Sequence, residues 1–335
     1  MAQRLAFCRE ALIISTLPLK QSMTNSSRFI LALIALCWLV LTPCPAQTVF
    51  YGPSRYLDFN GTKSGAGTNY SPFADLLFSY FYLETFEAGV YATPGMTNSG
   101  GEIQPPGIYA DSVDGDDGVI NGSGSMGRSM HIITNTVMFT FNTNVLGSWP
   151  THVGVVWTDA GYRADTRYFG HVLFEAFGPD TNSLGVIGPV AVGDGFDGGQ
   201  TAEDRFFGVS DSRGISAISL SMTNCTDWEL DHVQYGREAV AVGQTNAFIR
   251  IATTNSAVMQ VSWPSQTDTL YQVLWTPALS SSSNVWRPLG SWELGVDTNA
   301  NRNVGGGIAG TGSTNVVTDP AASNSQKFYR VIQIQ

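Results

Sequence analysis

The segment DSVDGDDGVINGSG, residues 111–124, packs four aspartates and four glycines into fourteen positions. Calcium takes about six to eight oxygens from carboxylates, carbonyls and water. Asp111, Asp114, Asp116 and Asp117 offer such carboxylates, with Gly115 and Gly118 permitting tight turns between them. The spacing is not that of a helix-flanked D-x-[DN]-x-[DN]-G loop, because position 113 is Val and no helical pattern flanks it. A solvated cluster of Asx turns is the competing interpretation, since aspartate tolerates turn geometry and bonds its own backbone.

Carboxylates also do acid–base work when two of them stand about 5–9.5 Å apart, as in glycoside hydrolysis. Glu175 in LFEAF, Glu203 and Asp204 in TAEDRFF, and Asp231 in ELDHVQY each interrupt an apolar context and are the candidates. An ion pair between Asp204 and Arg205 would explain that site equally well, so no residue is assigned a catalytic role. Histidines 131, 152, 171 and 232 show neither H-x-x-x-H nor H-E-x-x-H spacing and are expected to be ordinary hydrogen-bonded residues. Cys225 has no base near it in sequence, and no G-x-S-x-G elbow occurs. GDGFDGG, residues 193–199, lacks the lysine of a phosphate loop and is a loop signal.

Aromatic residues are the other chemistry-bearing set. Sugar rings present apolar C–H faces that stack on Tyr and Trp. If FSYFYLETF (78–86) is extended, Phe78, Tyr80 and Tyr82 share one face, with Phe81 and Leu83 on the other. Tyr80, Tyr82, Trp149 and Trp157 are the candidate ligand-binding residues. Core packing is the alternative, most of all for Trp157 in mid-strand; Trp149 sits in a turn before Pro150.

These residues must be positioned by strands. VMFTFN (137–142), HVGVVWTD (152–159), VLFEAFG (172–178), RFFGVS (205–210) and ISAISLSM (215–222) are short, β-branched or aromatic, and bounded by turn residues. No stretch after the N-terminal segment keeps a 3.6-residue apolar period for three turns. The fold class expected is all-β: a jelly-roll sandwich over 48–238, then a smaller immunoglobulin-like sandwich over 247–335. The joint falls near 237–246. The second set includes FIRIA (248–252), VMQVSW (258–263), LYQVLW (270–275) and FYRVIQI (328–334). The Asn/Gly-rich stretch 297–313 reads as a flexible hairpin insertion.

At the N-terminus, FILALIALCWLVL (29–41) is an apolar run of thirteen, preceded by Arg28 and followed by CPA at 44–46. That is the layout of a secretory signal peptide, shorter than the roughly 20 residues of a membrane span. Met23 is an alternative start, and a lipoprotein signal at Cys44 is disfavoured by Pro43. Export followed by cleavage of 1–46 would move the net charge from −10 to −13 and leave two lysines, Lys63 and Lys327. So acidic a chain has no electrostatic route to nucleic acid. Membrane insertion is not expected after cleavage. Of the four cysteines only Cys225 would remain, so no intrachain disulfide is expected.

Two resemblances add to this. VSWPSQTDTLYQVLW and FYRV make the C-terminal part similar to the fibronectin-type-III-like modules of exported bacterial proteins, with Trp263 at the buried tryptophan position. YLETFEAGVYATPG, DSVDGDDGVINGSG, THVGVVWTD, TAEDRFFGV, GISAISLS and ELDHVQYG resemble, in that order, the jelly-roll domains of exported bacterial proteins of the PEP-CTERM type. The chain ends at VIQIQ, so free secretion is expected rather than sorting to an anchor. A weaker similarity to carbohydrate-binding jelly rolls implies Glu87 of TFEAG and Asp231 as ligands of a structural calcium, the candidate cofactor. Together these imply a secreted, non-catalytic binder of an extracellular glycan or surface polymer. A carbohydrate-active enzyme and a purely adhesive matrix protein are the alternatives.

Overall fold

A computed structural model describes residues 47–59, 69–91, 93–107, 110–113, 127–160, 162–163, 168–169, 171–192, 204–222, 225–244, 250–254, 258–277, 279, 286–289, 307–319 and 327–334. Residues 1–46, and with them the export expectation, lie outside this set, as do Glu203, Asp114, Asp116 and Asp117.

The described elements are strands with one short helix. In order come β1 (Val49–Arg55), β2 (Phe78–Glu84), β3 (Met96–Asn98), β4 (Glu102–Ile103), β5 (Met130–Ile132) and β6 (Thr136–Phe141). After α1 (Thr143–Leu146) follow β7 (His152–Ala160), β8 (Tyr162–Arg163), β9 (Tyr168–Phe169), β10 (Val172–Phe177), β11 (Ser183–Val190), β12 (Arg205–Ser210), β13 (Ala217–Met222) and β14 (Trp228–Glu238). A seven-stranded sheet runs β1-β12-β7-β14-β5-β4, with β2 also on β14; a five-stranded sheet runs β11-β10-β13-β6-β3. From β5 to β14 the chain passes repeatedly between the two sheets, which gives an antiparallel sandwich of jelly-roll type.

The residue pattern explains the layers. In β10, VLFEAF, burial alternates, and Val172, Phe174 and Ala176 point into the space between the sheets. There they meet Trp157, Phe207, Leu230 and Tyr235. β14 does not alternate: its first nine residues are all buried. The cause is a second core on the outer face of the seven-stranded sheet, where Tyr56, Phe59, Phe73 and Val113 cover Val156 and Phe206. Gly154 and Gly208, register partners on β7 and β12, make that cover possible. A Cβ on Gly154 would lie 2.4 Å from the Phe206 ring, and one on Gly208 would lie 2.8 Å from it.

The C-terminal strands are β15 (Ala241–Gln244), β16 (Arg250–Thr254), β17 (Val258–Pro264), β18 (Leu270–Thr276), β19 (Arg287–Pro288), β20 (Ile308–Ala309), β21 (Thr314–Asp319) and β22 (Phe328–Ile334). They form a sheet β15-β22-β18-β19, with β20 on β18, and a second sheet β16-β17-β21. Trp263 is 1% exposed and shares a core with Val261, Tyr271, Val273, Leu289 and Val331.

β14 ends at Glu238 and β15 starts at Ala241, with Ala239 and Val240 between them. Of the Asn/Gly-rich stretch, residues 297–306 lie outside the described residues; at its described end Leu270 pairs with Ala309, and Gly307 N–H donates to Ser79 O. Backbone partners supplied from two sides hold it. Among the described residues no helix is long and apolar enough to cross a membrane.

Candidate functional site

The aromatic candidates lie on or beside β2, which joins the seven-stranded sheet through β14. Tyr80 and Tyr82 turn toward the inner core, and their rings stand 5.9 Å apart. The row continues through Tyr235, 5.4 Å from Tyr82, to Phe141, 5.0 Å further on. Tyr80, Tyr82 and Trp149 are all half-buried, so the row ends in rings that keep contact with solvent. Phe78 is not part of it. A register shift between Arg237 and Glu238 turns Phe78 to the outer face, beside Phe81 and Leu83.

Short hydrogen bonds fix the rim. Tyr80 Oη donates to Ser148 O at 2.7 Å, and Tyr235 Oη donates to Pro94 O at 2.6 Å. Arg237 Nη1 donates to Trp149 O at 3.2 Å. Gly214 leaves room for the indole, since a Cβ there would come within 2.5 Å of Trp149 Cβ. Burial pushes the Tyr80, Tyr82 and Tyr235 hydroxyls above their ordinary pKa, so they remain neutral hydrogen-bonding groups.

Trp157 is a correction. It is 0% exposed in the core between the sheets, opposite Arg205 on one side and Leu230 on the other. No ring face is left for a sugar.

The acidic residues gather elsewhere, on the outer face of the same sheet. Glu229 and Asp231 are 4% and 0% exposed on β14. The start of the acidic segment docks on them. Asp111 N–H donates to Glu229 Oε2 at 2.7 Å, and Ser129 Oγ donates to the same oxygen. Val113 N–H and Ser112 Oγ donate to Asp231 Oδ2 at 2.9 and 3.2 Å. The other oxygen, Oδ1, accepts from His232 N–H at 2.6 Å. A bulge between Asp231 and Gln234 places His232 at φ 46°, where its Nδ1 meets Tyr56 Oη at 2.9 Å. Gln234 Nε2 donates to Tyr56 Oη, and Ser71 Oγ donates to Gln234 Oε1. Glu229 stands directly opposite Asp159 on β7 and His131 on β5. Burial, more than any other cause, raises its pKa.

This geometry bears on the calcium expectation. Glu87 accepts from Arg128 N–H, whereas Asp231 accepts from residues 112, 113 and 232, so their described partners are separate. Among the described residues no group of three His, Cys, Asp or Glu side chains is arranged to hold a metal. N–H and O–H donors aimed at Glu229 and Asp231 suit an anion acceptor, not a cation cage. Asp114, Asp116 and Asp117, the rest of the expected calcium set with Glu87, Asp231 and Asp111, lie outside the described residues. The fully buried acid of YLETFEAG is Glu84, which accepts from Phe86 N–H, Thr93 N–H and Thr93 Oγ, each at 3.0 Å. Nothing in its spacing distinguishes it from Glu87.

Of the hydrolytic candidates, Glu203 lies outside the described residues, and Glu175 and Asp231 lie on different sheets. Glu175 lies on β10 of the five-stranded sheet, between inward-facing Phe174 and Ala176, and so points out of the sandwich. Asp231 points out of the opposite sheet, beside inward-facing Leu230. Sheets pack about 10 Å apart, so these two carboxylates face away from each other across more than that. Asp204 is 0% exposed at the start of β12.

No protein-family model and no curated protein sequence matches the chain. Among solved structures, it is similar at 9% identity and a TM-score of 0.26 to the N-terminal CBM22-1-CBM22-2 tandem domain of Paenibacillus barcinonensis Xyn10C, over 78% of this chain and 91% of that one. It is similar, again at 9% identity and a TM-score of 0.26, to the β-1,2-glucanase from Parabacteroides distasonis, over 76% of this chain and 36% of the enzyme.

Proposed function

We propose that the protein is a secreted, non-catalytic binder of a neutral extracellular glycan, and that the rim of Tyr80, Tyr82 and Trp149 is its contact surface. The observation that carries this is the half-buried pair Tyr80–Tyr82, continued inward by Tyr235 and fixed through Ser148 and Pro94. Rings held this way lose little conformational freedom when a sugar face stacks on them. Neutral hydroxyls at the same rim suit an uncharged polymer better than an anionic one.

A binder is favoured over a hydrolase because Glu175 and Asp231 lie on opposite outer faces, and Glu229 and Asp231 are committed to holding residues 111–113. The division into a jelly roll over 48–238 and a fibronectin-III-like module over 247–335, with removal of residues 1–46 on export, belongs to the same proposal. The test is a glycan array with the full chain, repeated with Tyr82→Ala and Trp149→Ala. Retention on neutral glycans that both variants lose supports the assignment; retention unchanged in both overturns it.

A further inference from the structure

The joint between the two sets of strands sits at the aromatic rim. β14 carries Arg237, which stands opposite Tyr80 and holds the Trp149 carbonyl, and the chain then turns through Ala239 and Val240 into β15. Ala239 is 6% exposed and its N–H donates to Leu77 O at 2.8 Å. It belongs to an apolar cluster with Leu274, Ile332 and Ile334 of the C-terminal sheet, against which Leu77 packs. Leu77 immediately precedes β2. Ser79, one residue before Tyr80, receives Gly307 N–H on its carbonyl at 3.1 Å and donates its own Oγ to Arg237 O at 3.2 Å. Arg287 of β19 pairs with Asp75 at 3.4 Å. The strand that presents Tyr80 and Tyr82 is thus gripped by β14 on one side and touched by C-terminal residues at its start.

A spacer module on a loose linker would make none of these contacts, because domains joined by a free linker move relative to one another. We propose that the C-terminal strands are a brace for the rim: they set the position of β2, and through it Tyr80 and Tyr82, so that ligand binding depends on them although they hold none of the rim aromatics. Leu77 is the positioning residue at the centre of this contact. This rests on the rim being the glycan site, so the experiment separates the two statements.

The full chain and its Leu77→Asp and Leu77→Ala variants are melted by scanning calorimetry and titrated with cellohexaose, a neutral sugar with flat C–H faces. The wild type should melt in one transition. Leu77→Asp should split the melt in two and weaken binding at least fivefold; Leu77→Ala should weaken it two- to threefold with the fold intact. Two transitions in the wild type overturn the brace. So does a split melt in Leu77→Asp with affinity unchanged. If the wild type melts once, Leu77→Asp splits the melt and cellohexaose binds neither, the brace stands as a structural coupling and the rim assignment fails. If Leu77→Asp does not fold, Leu77→Ala decides: wild-type affinity in that variant overturns the brace.

Discussion

β14 is one strand with two chemistries. Its first half, Trp228–Asp231, pairs with β5 and β7 and turns Glu229 and Asp231 outward, where residues 111–113 dock on them. Its second half, Val233–Glu238, pairs with β2, backs the aromatic rim with the buried Tyr235 and holds the Trp149 carbonyl through Arg237. The carboxylates of the first half accept backbone N–H and serine hydroxyl donors and are closed off. The second half backs Tyr80 and Tyr82 of β2, which stay half-buried. The difference teaches that buried acids mark how this molecule is fastened, while its capacity to bind lies where side chains are only partly covered.

The largest test of that contrast is Asp231→Ala. It strips the acceptor from Val113 N–H, Ser112 Oγ and His232 N–H at once, and each buried donor left alone costs about 1–3 kcal/mol. A loss of ~3 kcal/mol or more in urea unfolding is expected; a loss below about 1 kcal/mol would remove the fastening role.

At the rim backed by the other half, Tyr82→Ala should weaken glycan binding about fivefold, the ~1 kcal/mol scale of a ring contact. The same titration on Asp231→Ala, corrected for its unfolded fraction, should show wild-type affinity. Equal losses in both variants would erase the distinction between the halves.

Glu229 gives a pH signature. Its pKa is raised above the ordinary 4.5 by burial, so the folded state holds the proton more tightly than the unfolded state does. Its contribution to stability is full below 4.5 and declines as pH rises toward the folded value. Glu229→Gln keeps an acceptor oxygen and removes the charge, so unfolding measured from acid to neutral pH should lose that decline. A steeper decline in the variant would contradict the assignment.

The smallest expected effect is that of a chelator. EDTA should leave the melting temperature unchanged, because the donors around Glu229 and Asp231 already satisfy them. A fall in melting temperature would mean that the native state holds a cation, and would return calcium to the acidic segment.

Much of the fold was legible in local pattern. The strands of the jelly roll follow from short β-branched runs between turn residues, and β10 alternates as its residues require. Trp157, in mid-strand among valines, carried the mark of a core residue, and a core residue it is. The site was less legible. Tyr80 and Tyr82 share a face because they are two apart, but the shift at Arg237 that removes Phe78 from that face has no local signal. Glu229 carries no local signal because its partner Asp111 is 118 residues away.

Composition and local periodicity by themselves determined the all-β class, the order of the strands and the two-residue spacing that aligns the rim tyrosines. Those are properties of a few neighbouring residues, set by backbone sterics and alternation. Tertiary structure alone decided which carboxylates meet, which aromatic is sealed and which stays half-open, and that the second set of strands touches the start of β2. Each depends on register and on bulges, where a one-residue shift exchanges the faces of a strand, and on contacts between segments far apart in the chain.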